Sequence, residues 1–357
     1  MAKFTWEYRP EDNEFFYREL ESFVPDRIYD AHCHLHELSH MHYVEGSRYP
    51  SKYRSFSKGG YYALMEAGPH SITLEEYRRQ VDWLHPGREV HSLCMPYVPV
   101  ADPPAANHWV SRQIAKDPLC RGHFVLMPDD DPEWVRQECR RLNLCGLKPY
   151  HMFLPHQDTM EAEIPEYLPE KFLSVANEEG WSITLHMVRS RAIADPSNQR
   201  WIRRYCENYP NVNIILDHTA RAFNPGHNVE GLAAMRGLDN LWYVSSLYCE
   251  PLAREAVIRI IGPEKLIYGS DFFCSHDRGR SLGVNDGFLF INEMTDVWKT
   301  VIGNARPVLM GLEHLRALKY ACWSQGLTDS QVEDIFYNTA ARLLGVDTTQ
   351  ARRLRYP

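Results

Sequence analysis

Ile28-Tyr29-Asp30-Ala31-His32-Cys33-His34 reads as an apolar strand ending in His-x-His. Residues two apart on a strand share a face, so His32 and His34 aim two imidazoles at one point, while Cys33 faces the other way. Farther along the chain, three more candidate strands end in His186, His218 and Asp271. Together these side chains form a nitrogen and oxygen donor set that suits a divalent transition metal and points to a metal enzyme.

The strands that deliver these residues belong to a regular alternation. Apolar runs at 28–34, 90–98, 123–127, 145–148, 182–186, 212–217, 241–246 and 265–268 are separated in many places by helical stretches, for example 132–142 and 169–179. Eight strands spaced in this way predict an α/β fold, a closed (β/α)8 TIM barrel. A barrel of about 250 residues with insertions accounts for the 357 residues, so the expectation is a single domain over 1–357.

Two segments stand outside the alternation. An N-terminal extension over 1–27 carries Phe16, Leu20 and Phe23 at helical spacing and stops near Pro25. An insertion over 35–88 mixes Arg48, Tyr49, Lys52, Tyr53, Arg54, Phe56 and Lys58, a composition expected of a lid over a binding site. It closes with a helix in which Thr73 and Glu76 form a capping box and Leu74, Tyr77, Val81 and Leu84 the buried stripe. A last packing helix over 330–344 is opened by Thr328 and Gln331 and stopped by Gly345. Apolar surface on the extension and the insertion would suit a symmetric homodimer.

The net charge of −8 argues against nucleic acid as a partner, and against reading the aromatic and basic insertion as a stacking surface for single strands. No apolar run is long enough to cross a bilayer, and the N-terminus lacks a signal-like apolar stretch. Nine scattered cysteines without CxxC spacing read as reduced thiols, so the expected location is cytoplasmic and the expected partner a small molecule.

In an α/β barrel the active site lies at the C-terminal ends of the strands, where all five candidate donors fall. His36, His40 and His42 lie past the end of the first strand, in its loop. Lys148 ends the fourth strand, placed for a salt bridge or a substrate contact, and Tyr150-His151 follow at the same mouth or on the surface. Arg189, Arg191, Arg221, Arg278 and Arg280 make the loops above the site cationic. Guanidinium forks bind carboxylates, so Arg189, Arg191, Arg221 and Lys148 are candidate contacts for an anionic substrate. The alternative pairs the arginines with acids such as Asp195 and Asp277.

The segments Asp30-Ala-His-Cys-His34, Leu185-His186, Leu216-Asp-His218, Tyr268-Gly-Ser-Asp271 and Asn338-Thr-Ala-Ala-Arg-Leu-Leu-Gly345 together resemble the amidohydrolase superfamily. The resemblance is closest to its amidohydrolase-related group of metal-dependent hydrolases and decarboxylases, and it spans roughly 28–345. It implies that His32, His34, His186 and Asp271 bind one divalent ion, zinc first and manganese second, with His218 beside it as a catalytic or substrate-orienting histidine. Some superfamily members carry a carbamylated lysine bridging two metals where Lys148 stands; the narrower group resembles a mononuclear site.

Such an ion lowers the pKa of bound water from about 15.7 toward about 7, and Asp271 or His218 can take the proton. The resemblance therefore implies hydrolysis of a lactone, ester or amide of a small carboxylate-bearing substrate. The alternative is nonoxidative decarboxylation of an aromatic or unsaturated acid. Asp30 ahead of His32 favours the hydrolase form, because one decarboxylase branch places Glu where His32 stands.

Overall fold

The computed structural model describes residues 4–41, 61–98, 100–155, 158–299 and 305–346. Its strands are β1 (Arg27–His34), β2 (Glu89–Met95), β3 (Arg121–Val125), β4 (Gly146–Lys148), β5 (Ser182–Leu185), β6 (Asn213–Leu216), β7 (Leu241–Ser245) and β8 (Leu266–Tyr268). They pair in parallel and in chain order as one eight-stranded sheet. Two hydrogen bonds close it into a barrel: the Asp271 amide donates to the His32 carbonyl oxygen (2.8 Å) and the His34 amide to that of Phe272 (2.9 Å). The eight strands read from the sequence are all present, with ends displaced by a few residues at most.

Strand β1 does more than alternate. A bulge between Asp30 and Cys33 resets its register against β2. Tyr29 and Ala31 accordingly join the barrel-interior cluster with Leu93, Ile215, Val244 and Ile267, while His32 and His34 line the cavity above it. Bulges commonly re-aim side chains next to functional sites. Asp30 secures this one, because its carboxylate accepts from the His32 amide (3.1 Å), the Ser270 amide (2.8 Å), the Tyr77 hydroxyl (2.7 Å) and the Ser270 hydroxyl.

The C-terminal helix plugs the opposite end with Tyr337, Ala340 and Leu344, and its Thr328–Gln331 capping box forms as read. Thr73 caps its helix by accepting from the Glu76 amide (3.0 Å), but the Glu76 side chain pairs with Arg79 and Gln80 instead of returning the bond. The N-terminal helix Pro10–Phe15 and its continuation to Leu20 pack against the barrel through Phe15, Phe16 and Leu20. The aromatic and basic residues 48–58 of the expected lid lie outside the described residues.

One element had no counterpart in the sequence reading. After β8 an antiparallel hairpin, β9 (Gly279–Val284) with β10 (Gly287–Asn292), turns through Asn285 in the left-handed region (φ 49°). Arg278, at its base, is fully buried and pairs with Asp12 (2.6 and 2.9 Å), not with Asp277 as one sequence reading had it. Asp12 also accepts from the Leu309 amide (3.1 Å), so a single carboxylate ties the N-terminal extension to the hairpin and to the last third of the chain.

At the N-terminal ends of β2 and β3, His91 Nδ1 lies 2.7 Å from Asp117 and Nε2 lies 2.8 Å from Glu89, while Arg78 pairs with Asp117 from the other side. Donor-type atoms of His91, Asp117 and Cys120 lie within 4.8 Å of one another, yet two cations already neutralise Asp117, so the cluster is an ion-pair network. Burial opposes the imidazolium, but hydrogen bonds to Asp117, Cys120 and Glu89 outweigh it and push the His91 pKa up to about 10.

Two outcomes are expected. Asp12→Ala leaves Arg278 buried without its partner and should lower the unfolding free energy by about 3–5 kcal/mol in urea titrations. For His91 the folded pKa exceeds the ordinary value of about 6.5, so its stabilisation is complete below that pH and is lost as pH climbs toward 10. Wild-type stability measured by denaturant between pH 7 and 10 should decline, and the decline should be smaller in His91→Gln.

Candidate active site

The cavity at the C-terminal ends of the strands is built around His32, His34 and Asp271. The two Nε2 atoms lie 3.2 Å apart, and Asp271 Oδ1 is 3.6 Å from that of His32 and 3.3 Å from that of His34. Four donors arranged tetrahedrally at zinc bond lengths of 2.0–2.1 Å stand about 3.3 Å from one another, so these separations match the edges of one coordination shell.

The hydrogen bonds behind each ring show which nitrogens carry protons. His34 Nδ1 donates to the Pro96 carbonyl oxygen (3.1 Å), which leaves Nε2 with its lone pair. His32 Nδ1 lies 3.1 Å from the Ser246 hydroxyl and 3.2 Å from Asp217 Oδ1, which leaves Nε2 facing inward. Burial, reinforced by the charge of Lys148, lowers both imidazole pKa values, that of His34 to about 3, so both rings are neutral. Burial also pushes the Asp271 carboxyl up to about 7. Two imidazole nitrogens and a carboxylate oxygen crowded within 3.6 Å are brought together favourably by a positive charge between them, and the donor set fits a divalent ion.

His218 stands beside this group. Its Nδ1 lies 3.0 Å from the Ser246 hydroxyl, 3.1 Å from the Ser246 carbonyl oxygen and 3.9 Å from Asp271 Oδ2. The backbone delivers it through a left-handed turn: His218, Thr219, Ala220 and Arg221 have φ of 50°, 51°, 63° and 62°. This conformation costs roughly 1–2 kcal/mol per non-glycine residue. Thr219 anchors the turn, donating to the Val244 carbonyl oxygen (3.2 Å) and accepting from the Tyr248 hydroxyl (2.7 Å), while Asn228 donates to the Thr219 carbonyl oxygen (2.9 Å). Strain of this kind collects at functional sites. Here it brings His218 and Arg221 into one cavity.

His186 lines the same cavity, its ring 5.1 Å from that of His218 and stacked 6.0 Å from that of His151, but its donor atoms are not within the close group of three. Lys148 lines the cavity with its ammonium paired to Asp217. Arg221 lines it too, donating to the Arg189 carbonyl oxygen (2.7 Å). Arg189 and Arg191 do not line it. Arg189 pairs with Asp195 (2.9 Å) and Arg191 with Glu230, so nearby acids hold both outside the site. Cys33 turns away toward Cys94, their sulfurs 3.5 Å apart.

The cavity measures about 380 Å³, and much of its wall is aromatic: Tyr97, Tyr150, Phe223, Phe288 and Phe290. Phe288 stacks on Phe223 with centroids 4.6 Å apart and lies 5.3 Å from the Arg221 guanidinium. Phe288 and Phe290 come from the hairpin absent from the sequence reading. The alternating run 279–284, the Asn-Asp turn and Phe-Leu-Phe-Ile were the signal that could have revealed it. Ser246 and Asp217, which hold the histidines, carried no such signal.

The chain matches the family described as Amidohydrolase over residues 29–346. No curated protein matches. Among solved structures, it is similar to a probable 2-pyrone-4,6-dicarboxylic acid hydrolase from Acinetobacter baumannii with citric acid bound (13% identity, TM-score 0.52, covering 89% of this chain and 99% of that one). It is also similar to 5-carboxyvanillate decarboxylase from Sphingomonas paucimobilis (12%, TM-score 0.56, covering 90% and 100%). A 5-carboxyvanillate decarboxylase from Novosphingobium aromaticivorans with bound manganese is similar at 12% identity and TM-score 0.54, covering 91% of this chain and 98% of that one. At these identities the likeness establishes the shared barrel.

The donor geometry generates a binding test. Zinc or manganese at about 100 times its Kd should stabilise the native protein by about 2.7 kcal/mol. Thermal shift with and without a chelator should show this for the wild type and not for His34→Ala or Asp271→Ala.

Proposed function

The chain belongs to the amidohydrolase family, and from that premise we propose that it is a metal-dependent hydrolase of a lactone, ester or amide bond in a small carboxylate-bearing substrate. The observation that carries this reading is the convergence of His32 Nε2, His34 Nε2 and Asp271 Oδ1, with His218 in the same cavity. His32, His34, Asp271 and, as fourth ligand, His186 would hold the ion, zinc first and manganese second. When bound, it supplies Lewis acidity toward a carbonyl oxygen and acidifies water toward a pKa of about 7.

The chain's own groups do the remaining work. His218, its Nδ1 turned toward Ser246, offers Nε2 as the base that takes a proton from water and returns it to the leaving group. Asp271 Oδ2, 3.9 Å from His218 Nδ1, favours the imidazolium formed in between and is the second candidate proton acceptor. Arg221 has no carboxylate partner among the described residues and is the cation best placed to hold a substrate carboxylate. Citric acid in the Acinetobacter structure is consistent with a site that takes polycarboxylates. With Lys148 committed to Asp217 and Arg189 and Arg191 outside the cavity, Arg221 carries that role.

A second reading is favoured by the wall of Phe223, Phe288 and Phe290 beside Arg221, which suits a planar aromatic acid and hence nonoxidative decarboxylation. The decarboxylases of similar fold act on such acids by their names. No helix among the described residues is long and apolar enough to cross a membrane, and all nine cysteines are unpaired, which supports placing the protein in the reducing cytoplasm.

Metal-loaded protein incubated with lactones, esters, amides and aromatic acids separates the two reactions: release of a new carboxylic acid supports hydrolysis, and release of carbon dioxide supports decarboxylation. With the substrate found, Arg221→Ala should raise KM about 10- to 100-fold, and His218→Asn should lower kcat about 10²- to 10⁴-fold. Unchanged kinetics in either variant would remove that residue's role.

A further inference from the structure

The β9–β10 hairpin is fastened to the segment that follows the left-handed turn. Asn224, buried, donates through Nδ2 to the carbonyl oxygens of Asn285 (2.7 Å) and Gly287 (3.0 Å) at the hairpin tip. His227 Nε2 lies 2.9 Å from Asp286 in the same tip. Strand β9 runs so close to this segment that a Cβ on Gly283, the residue paired with Phe288, would stand 3.1 Å from Pro225 Cδ and 3.3 Å from the Phe223 carbonyl oxygen.

Alternation along β10 turns Phe288 and Phe290 to the cavity and leaves Leu289 41% exposed on the opposite face. Phe288 stacks on Phe223, whose ring lies 5.1 Å from that of His218. The Arg221 guanidinium stands 5.3 Å from the Phe288 centroid. One aromatic column from the hairpin therefore reaches both the histidine and the arginine of the turn.

We propose that this hairpin is the specificity element of the cavity, with Phe288 the residue that determines selection and Asn224 the positioning residue that latches it. Phe288 covers Arg221, so the site selects acids whose carboxylate is borne on a broad apolar body over acids of equal charge without one. A guanidinium near an aromatic ring is attracted to its π-face and loses water on that side. A carboxylate that reaches it from the cavity makes charge-assisted hydrogen bonds in a medium of lowered dielectric, where they are stronger. The remainder of the acid then lies along Phe288 and Phe290. An apolar body gains by leaving water there, whereas a small or polar one gains little or gives up hydration without a partner.

The inference rests on Arg221 as the anion anchor proposed above, and its test reads binding selectivity. Isophthalate and glutarate are dianions with the same carbon spacing between their carboxylates, and they differ in the ring. Calorimetric titration of the protein with each, zinc present, gives the ratio of their dissociation constants. Wild type should prefer isophthalate, and Phe288→Ala should cut that preference about 10-fold. Asn224→Asp, nearly isosteric but unable to donate to the two carbonyls, should cut it in the same direction. Phe288→Tyr and Leu289→Ala should keep it. Impaired folding lowers both affinities together and leaves their ratio unmoved.

A wild type without preference, an unchanged ratio in Phe288→Ala, or an equal fall in Leu289→Ala would overturn selection by the hairpin. A fall in Phe288→Ala with none in Asn224→Asp would overturn the latch. Isophthalate bound equally by wild type and Arg221→Ala would instead remove Arg221 as the anchor and the cover with it, a result distinct from Arg221-dependent binding that ignores Phe288.

Discussion

Across the seam between β1 and β8, the Asp271 amide donates to His32 and the His34 amide to Phe272. These bonds close the barrel, and they join the backbones of three donor residues. Asp30 reinforces the seam by binding the β1 bulge and Ser270 with one carboxylate. Barrel closure and assembly of the donor group are therefore one event, and a chain that closes the sheet has also brought two imidazoles and a carboxylate within 3.6 Å. The bulge is what permits both jobs, because it lets Tyr29 and Ala31 fill the interior without turning the histidines outward.

Electrostatics around that seam follow from where the acids sit. The rim is rich in arginine, yet Asp195, Glu230 and Asp12 take up Arg189, Arg191 and Arg278, and their charges are balanced outside the cavity. Lys148 is balanced inside it by Asp217. Arg221 remains, carried in by the same left-handed turn that presents His218. His218 and Arg221, the base and anion anchor proposed above, stand three residues apart on one strained turn, which keeps their separation fixed. Phe288 and Phe290 of the hairpin form the wall beside them.

Much of this was legible in the chain itself. The eight strands and the plugging helix over 330–344 followed from hydrophobic period and capping residues, which are local properties. The grouping of His32, His34 and Asp271 followed from their places at strand ends, because a barrel brings all such ends to one rim. Less legible was which charged neighbour each rim residue would choose. Arg189 and Arg221 look alike in sequence, and only the fold shows that one meets Asp195 while the other pairs with no carboxylate among the described residues.

What the sequence alone determined was the architecture and the chemical character of its rim, because periodicity sets which residues face inward and topology sets which end they reach. Tertiary structure decided the rest: the β1 bulge, the hairpin that supplies Phe288 and Phe290, the pairing of Lys148 with Asp217, and the placing of Arg221 in the cavity with Arg189 and Arg191 outside it. Each of these depends on contacts between residues distant in the chain, whose distances and angles no local pattern encodes.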